Sequence, residues 1–248
     1  MSISIPFHGN VENRPLPRAR RVLRTVVAGL LLFLTCFTLG WTAWATVEWL
    51  KYGRVVARPP EDPIMSRFMP RYEVVEHHER IVAAPPAVVF RAVQSFRLED
   101  SPVIRAIFSA REIILTQRSI QPLSPPPFLQ LARQIGWGIL DSIRDREVAF
   151  GAITQPWRGD VHFRPLTPER FPAFDSAGYA KIAWSIGVDS LGPARSRLRT
   201  ETRVMTTDPV SRAKFRRYWS IYSPGIVLIR REALRLIGRA AEDESTRP

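Results

Sequence analysis

Four groups of residues in this chain have the types and spacing to do chemistry. His77-His78-Glu79 puts three potential metal ligands in a row. Neighbours on an extended segment point to opposite faces, so the three cannot easily close on one ion, and no cysteine stands in that region to help. His162 lies close in sequence to Asp160 and not far from Asp175. An Asp-x-His pair can orient an imidazole as a general base, which would suit a cyclase or hydrolase. No serine or cysteine forms a nucleophile elbow, and a histidine in a proline-rich loop reads first as a solvated side chain.

Lys181, Glu201 and Arg203 make a third group. On two paired antiparallel strands Lys181 could stand opposite Glu201, with Arg203 on the same face as Glu201. Such pairs commonly decorate a solvent face and contribute roughly 0.2–1 kcal/mol. The functional alternative is a polar anchor for a ligand headgroup. The fourth group is aromatic: Trp137, Trp157, Tyr179, Trp184, Tyr218, Trp219 and Tyr222. A packed core and a ligand pocket use the same residue types, so their chemistry alone does not separate the two. No cofactor and no metal are expected from these patterns.

The elements that must position these groups follow from the periodicity. Residues 71–84 alternate loosely before Pro85-Pro86 and predict a strand; the prolines then open a helix carrying Val89, Phe90 and Val93. Ser101 and Pro102 start a second helix with Ile104, Ile107 and Phe108 on one face. A short amphipathic stretch, FLQLARQIGW, follows a proline-rich break at 122–127. Residues 137–143 and 146–155 predict a hairpin about Arg144-Asp145, and 157–177 a loop. Two strong strands, 179–190 and 196–207, are joined by Leu191-Gly192-Pro193-Ala194. Their alternation groups Ile182, Trp184, Ile186 and Val188 on one strand, and Leu198, Thr200, Thr202 and Val204 on the next. A long helix closes the chain, capped by Asp208 or Ser211 and kinked at Pro224-Gly225, with an apolar stripe from Phe215 to Ile237.

Upstream, Thr25 to Val47 is an uncharged run of 23 residues. About 20 helical residues cross a hydrocarbon core, so the run predicts a membrane anchor. Ala43-Trp44-Ala45 matches a small-x-small cleavage site, but the run is longer than a usual signal core and Trp41, Trp44 and Trp49 suit an interfacial belt. Arg14, Arg18, Arg20, Arg21 and Arg24 precede the run, against Lys51, Arg54 and Arg58 after it. That balance places the N-terminus in the cytoplasm and the large C-terminal part on the outer, periplasmic side. The resulting organisation is a disordered basic segment 1–24, a transmembrane helix 25–50, a proline-rich extended linker 51–70, a domain 71–240 and a polar tail 241–248. The only cysteine, Cys36, lies in the span, so no intrachain disulfide is available. A formal charge of +13 beside a bilayer points to anionic headgroups as partner rather than nucleic acid, since no basic run interleaved with aromatics occurs.

Strand, short helices, antiparallel strands and one long C-terminal helix: over roughly 71–240 this order resembles the START-like (SRPBCC) superfamily, and a membrane-anchored bacterial branch of it. The residues that carry the resemblance are Val82-Ala83-Ala84-Pro85-Pro86 with Val89-Phe90, Phe174 to Lys181, Thr200 to Val204 with Thr207-Asp208, and Phe215 to Trp219. The resemblance implies an α+β helix-grip fold, a sheet wrapped round the C-terminal helix with an apolar cavity between them for a lipid or other hydrophobic small molecule. Trp184, Ile186, Thr200, Thr202, Tyr218, Trp219 and Tyr222 would form its wall, with Lys181, Glu201 and Arg203 as the polar anchor. The competing expectations are an enzyme using His162 with Asp160 or Asp175, and a non-catalytic scaffold that docks a partner on its basic helix.

Overall fold

The computed structural model describes residues 18–52, 62–115 and 125–247. The chain divides into two units, one ending at Ala43 and one beginning at Trp44. The first is occupied by α1, which spans Arg18–Lys51 and runs on into the second unit. This helix is long and apolar enough to cross a membrane. Its threonines hydrogen-bond backward to the turn before, Thr35 Oγ1 to Leu31 O at 2.8 Å and Thr38 Oγ1 to Leu34 O at 2.7 Å, so their hydroxyls need no solvent partner. Helix begins at Arg18, within the segment expected to be disordered; arginine and alanine favour helix, and α1 simply extends back through them.

The second unit is built on five antiparallel strands, β1 (Val74–Val82), β2 (Gly138–Ile143), β3 (Glu147–Thr154), β4 (Ala180–Gly192) and β5 (Arg195–Thr206), in the spatial order β1-β5-β4-β3-β2. The expected hairpin turns at Asp145, which takes φ 54°, a conformation aspartate tolerates. Helices α3 (Pro86–Ser95), α4 (Pro102–Leu115) and α5 (Phe128–Gln134) lie between β1 and β2, and α7 (Pro209–Ser245) closes the chain. This is the α+β helix-grip arrangement.

Asp208 caps α7, its carboxylate accepting from the Ser211 amide at 2.9 Å, and the helix continues through Pro224 without a break. It also continues through most of the expected polar tail, because Ala241 is fully buried and holds that turn against the core. Within the expected loop 157–177 a single turn, α6 (Arg170–Ala173), seats Phe171 out of solvent.

The proline-rich linker is the main departure. Residues 53–61 lie outside the described residues, but Pro63–Phe68 is helical, α2, with Pro63 in its first turn and Asp62 as its cap. Proline is compatible with a helix at that one place. Ile64, Met65, Phe68, Met69 and Tyr72 then pack with Leu140, Ala149, Phe171 and Ala183 into a cluster on one face of the sheet. The segment is part of the fold because its apolar residues bury there.

Candidate functional site: the face of the sheet under the C-terminal helix

Strand register decides which residues can meet. Trp184 pairs with Thr202, Ile186 with Thr200, Thr202 with Glu76, and Thr200 with His78, so all six point to one face. At one end of that face Val82, Val148, Val188 and Leu198 pack with α3 and with Leu234, Ile237 and Ala241 of α7. At the other, Val74, Ala180 and Val204 pack with Tyr52, Phe215 and Trp219. The middle is polar on its β1–β5 side and aromatic on its β3–β4 side.

The aromatic side is a cluster about Trp184, stacked on Phe150 and met edge-on by Trp137. Trp184 lies 4.5 Å from Phe150, 5.3 Å from Phe128 and 6.0 Å from Trp137, ring centre to ring centre. The polar side is a belt made by Glu76, His78, Thr202 and, from α7, Arg230. His78 Nε2 stands 3.4 Å from Glu76 Oε2. Burial pushes the Arg230 guanidinium down to about 10, and the Glu76 carboxylate opposes that shift. Thr202 is only 2% exposed. Yet Thr202 Oγ1, His78 Nε2 and the Nε atoms of Arg80 and Arg230 are buried without a hydrogen-bond partner among the described residues. Buried polar atoms are normally hydrogen-bonded, so these four near one face stand out, although His78 Nε2 keeps its long contact to Glu76.

A cavity of about 360 Å³ opens beside this belt, between edge strand β1 and α7, lined by His77, His78, Glu79, Arg80, Arg231, Leu234 and Arg235. A second, of about 530 Å³, lies by Trp137, Gly138, Ile139 and the end of α5. Gly238 on α7 faces Arg80: a Cβ there would lie 2.7 Å from Arg80 Nε, so glycine is what lets that guanidinium lie against the helix.

Each residue singled out in the sequence can now be placed. Trp184 and Ile186 belong to one apolar cluster, while Trp219 lies in the other with Tyr218 packed against it, and Thr200 and Thr202 lie between. Tyr222 packs against Tyr218 with tilted rings, 5.0 Å between ring centres. Thr200 Oγ1 is already committed to Ser185 O at 2.7 Å. The expected wall is thus split into two packed ends and a polar centre.

Lys181, Glu201 and Arg203 point the other way. Residues on a strand alternate, so these odd-numbered positions face α2 rather than α7. Lys181 pairs with Met205, not with Glu201 as expected. Its Nζ donates to Pro172 O at 2.7 Å, and burial lowers its pKa. Arg203 Nε donates to Glu201 Oε1 at 2.6 Å, and its Nη1 to Met69 O at 2.9 Å. Arg203 thus holds the end of α2, and Lys181 the α6 turn, on the back of the sheet, and all three residues are buried rather than solvent-facing.

His162 Nε2 is 3.8 Å from Asp160 Oδ2, with the two side chains 80% and 68% exposed, and Asp175 is exposed as well. That distance is beyond hydrogen-bond reach. Among the sequential trio, His77 turns to Glu201 at 3.4 Å while His78 turns to Glu76, the opposite-face arrangement expected of strand neighbours.

Sequence reasoning missed Glu76, Arg80 and Arg230. A signal existed: in VVEHHERIV the period of two puts Glu76, His78 and Arg80 on the same face as Val74 and Val82.

No family model matches the chain, and no curated protein matches it. Solved structures align with it at low identity. A Helicobacter pylori hypothetical protein is 10% identical, with 77% of this chain and 96% of that one covered and a TM-score of 0.34. A START superfamily protein from Mycobacterium smegmatis is 12% identical, covering 69% and 96%, with a TM-score of 0.24. The ZhuI aromatase/cyclase from Streptomyces sp. R1128 is 13% identical, covering 70% and 96%, with a TM-score of 0.26.

Proposed function

We propose that this protein is a membrane-anchored domain that binds a lipid or other hydrophobic small molecule between the sheet and α7. The observation that carries the reading is the polar belt at Glu76, His78, Thr202 and Arg230, in which Thr202 Oγ1 and Arg230 Nε are buried without a hydrogen bond among the described residues, set between two apolar clusters and beside Trp184 and its aromatic neighbours. Ligand sites combine apolar walls with a few convergent polar groups in this way. The packed cluster ends leave the edge between β1 and α7 as the way in. Residues 25–50 would serve as a retained anchor, with the N-terminus cytoplasmic and the domain outside, keeping the site at high local concentration beside the bilayer. Basic side chains on α7 would attract anionic headgroups at about 1 kcal/mol each.

The test is native mass spectrometry of the full-length chain before and after organic extraction. A co-purifying mass of a few hundred daltons that extraction removes is the expected result. An unchanged apo mass overturns the reading. Orientation is tested separately by protease digestion of intact spheroplasts, in which residues 62–247 should be cleaved; full protection reverses the assignment of sides.

A further inference from the structure

The unpaired atoms near β1 and α7 share a chemical bias. An arginine Nε carries a hydrogen and has no lone pair to offer, so Arg80 and Arg230 can only donate; Thr202 can donate too, as can His78, whose Nε2 has only a long contact, 3.4 Å, to Glu76. The cavity by β1 adds Arg231 and Arg235 from α7. Arg235 is already bound to Glu232, at 2.6 Å, and Arg80 has only a long contact to Glu242, 3.9 Å. The one acid lining the cavity is Glu79, which alternation turns to the back of the sheet, 3.7 Å from His77 Nε2 and 4.0 Å from Arg197 Nη1. A group that satisfies this set must be rich in acceptors and negatively charged.

We infer that the β1–α7 cavity takes the oxyanion, a phosphoryl or carboxylate group, of an acidic amphiphile, held by Arg80, Arg231 and His78 with its chain directed along the sheet face. The inference rests on the reading that this face holds a ligand and adds the charge and acceptor chemistry of the ligand's head. Arginine suits the task because its planar fork matches an oxyanion, and charge-assisted hydrogen bonds are about twice as strong as neutral ones. Gly238 is part of the device, since it keeps Arg80 between β1 and α7.

The experiment equilibrates the full-length chain, in neutral detergent, with dodecyl phosphate, dodecanol or inorganic phosphate and reads adducts by native mass spectrometry. Dodecyl phosphate should be retained at least about tenfold better than dodecanol, the ratio that one charge-assisted hydrogen bond supplies. Arg80→Gln should bring that ratio towards one, and Arg231→Gln, an exposed change that leaves the fold intact, should lower it severalfold. Equal retention of dodecyl phosphate and dodecanol overturns the oxyanion inference while leaving an apolar site. Retention of neither sinks the binding reading itself. Inorganic phosphate binding as well as dodecyl phosphate overturns the amphiphile and assigns a free-anion site.

Discussion

Arg199 Nη1 donates to Asp62 Oδ2 at 3.0 Å, joining the residue that caps α2 to the back of β5. The same guanidinium donates to both oxygens of Glu147, at 3.0 and 2.8 Å, and to Asp189 at 3.0 Å, while Ser185 Oγ donates to Asp62 at 2.6 Å. One arginine thus holds three carboxylates on three different segments, two of them nearly inaccessible to solvent. Removing one member of such a set leaves uncompensated buried charge. Asp62→Ala should therefore cost about 3–5 kcal/mol in urea unfolding of the full chain; a loss under about 1 kcal/mol would mean that α2 is not held by this network.

The network also sets an acid limb. Burial raises the Asp62 pKa, but hydrogen bonds from Ser185 and Met65 and the charge of Arg199 outweigh it and hold the carboxyl below its usual range. Its contribution to stability is complete above the unfolded value, about 4, and is lost as pH falls through the lower folded value. Glu147, pushed up by desolvation, acts in the opposite sense, its contribution fading as pH rises through its raised value. Thermal midpoints measured downward from pH 5 should fall, and the fall should be shallower in Asp62→Asn. Parallel curves for the two proteins would exclude the assignment.

Tyr52 follows directly after α1 and donates its hydroxyl to Glu73 Oε2 at 3.1 Å, an oxygen shared with the amide and hydroxyl of Thr206. Burial and the Glu73 charge push the phenol pKa far up, so the proton stays on the tyrosine. Tyr52→Phe should cost about 1.5–3 kcal/mol, the value of a hydrogen bond to a charged group. Unchanged unfolding would show that the last turns of α1 are dispensable to the domain.

Arg230 and Glu76 oppose each other across the sheet–helix interface, where charge is expensive. Removing both charges together, Glu76→Gln with Arg230→Met, should stabilise the protein by about 1–4 kcal/mol, because charge held in a sheet–helix interface costs more in desolvation than its attraction returns. The same variant should lose its co-purifying ligand. Stabilisation with full ligand retention would remove the belt from the binding site.

Gly136 adopts φ +104°, and a Cβ there would meet Phe163 O at 2.1 Å. Gly136→Ala should cost about 1–3 kcal/mol and displace the adjacent Trp137 from its stack on Phe163, shifting tryptophan emission. A neutral substitution would mean that this turn relaxes freely.

Much of this molecule was legible along the chain because it depends on local chemistry. The apolar run from Thr25 to Val47 determines a helix long enough to span a bilayer, Asp208 followed by proline determines where α7 begins, and alternation in 179–207 determines two long strands. Those features need only neighbours in sequence. Even the belt was encoded, in the period of two that puts Glu76, His78 and Arg80 on one face. What the chain alone left open was partnership at long range. Register set Lys181 against Met205, and alternation sent Arg203 to the back of the sheet while Thr202 faced α7. Only packing could turn a proline-rich linker into α2, because its helix is stabilised by burying Met65 and Phe68 against strands more than seventy residues away and by an aspartate whose arginine lies 137 residues on. Only tertiary structure could leave Thr202 Oγ1 and Arg230 Nε without a hydrogen bond among the described residues, since pairing is decided by what lies across the interface and not by the residue's own identity.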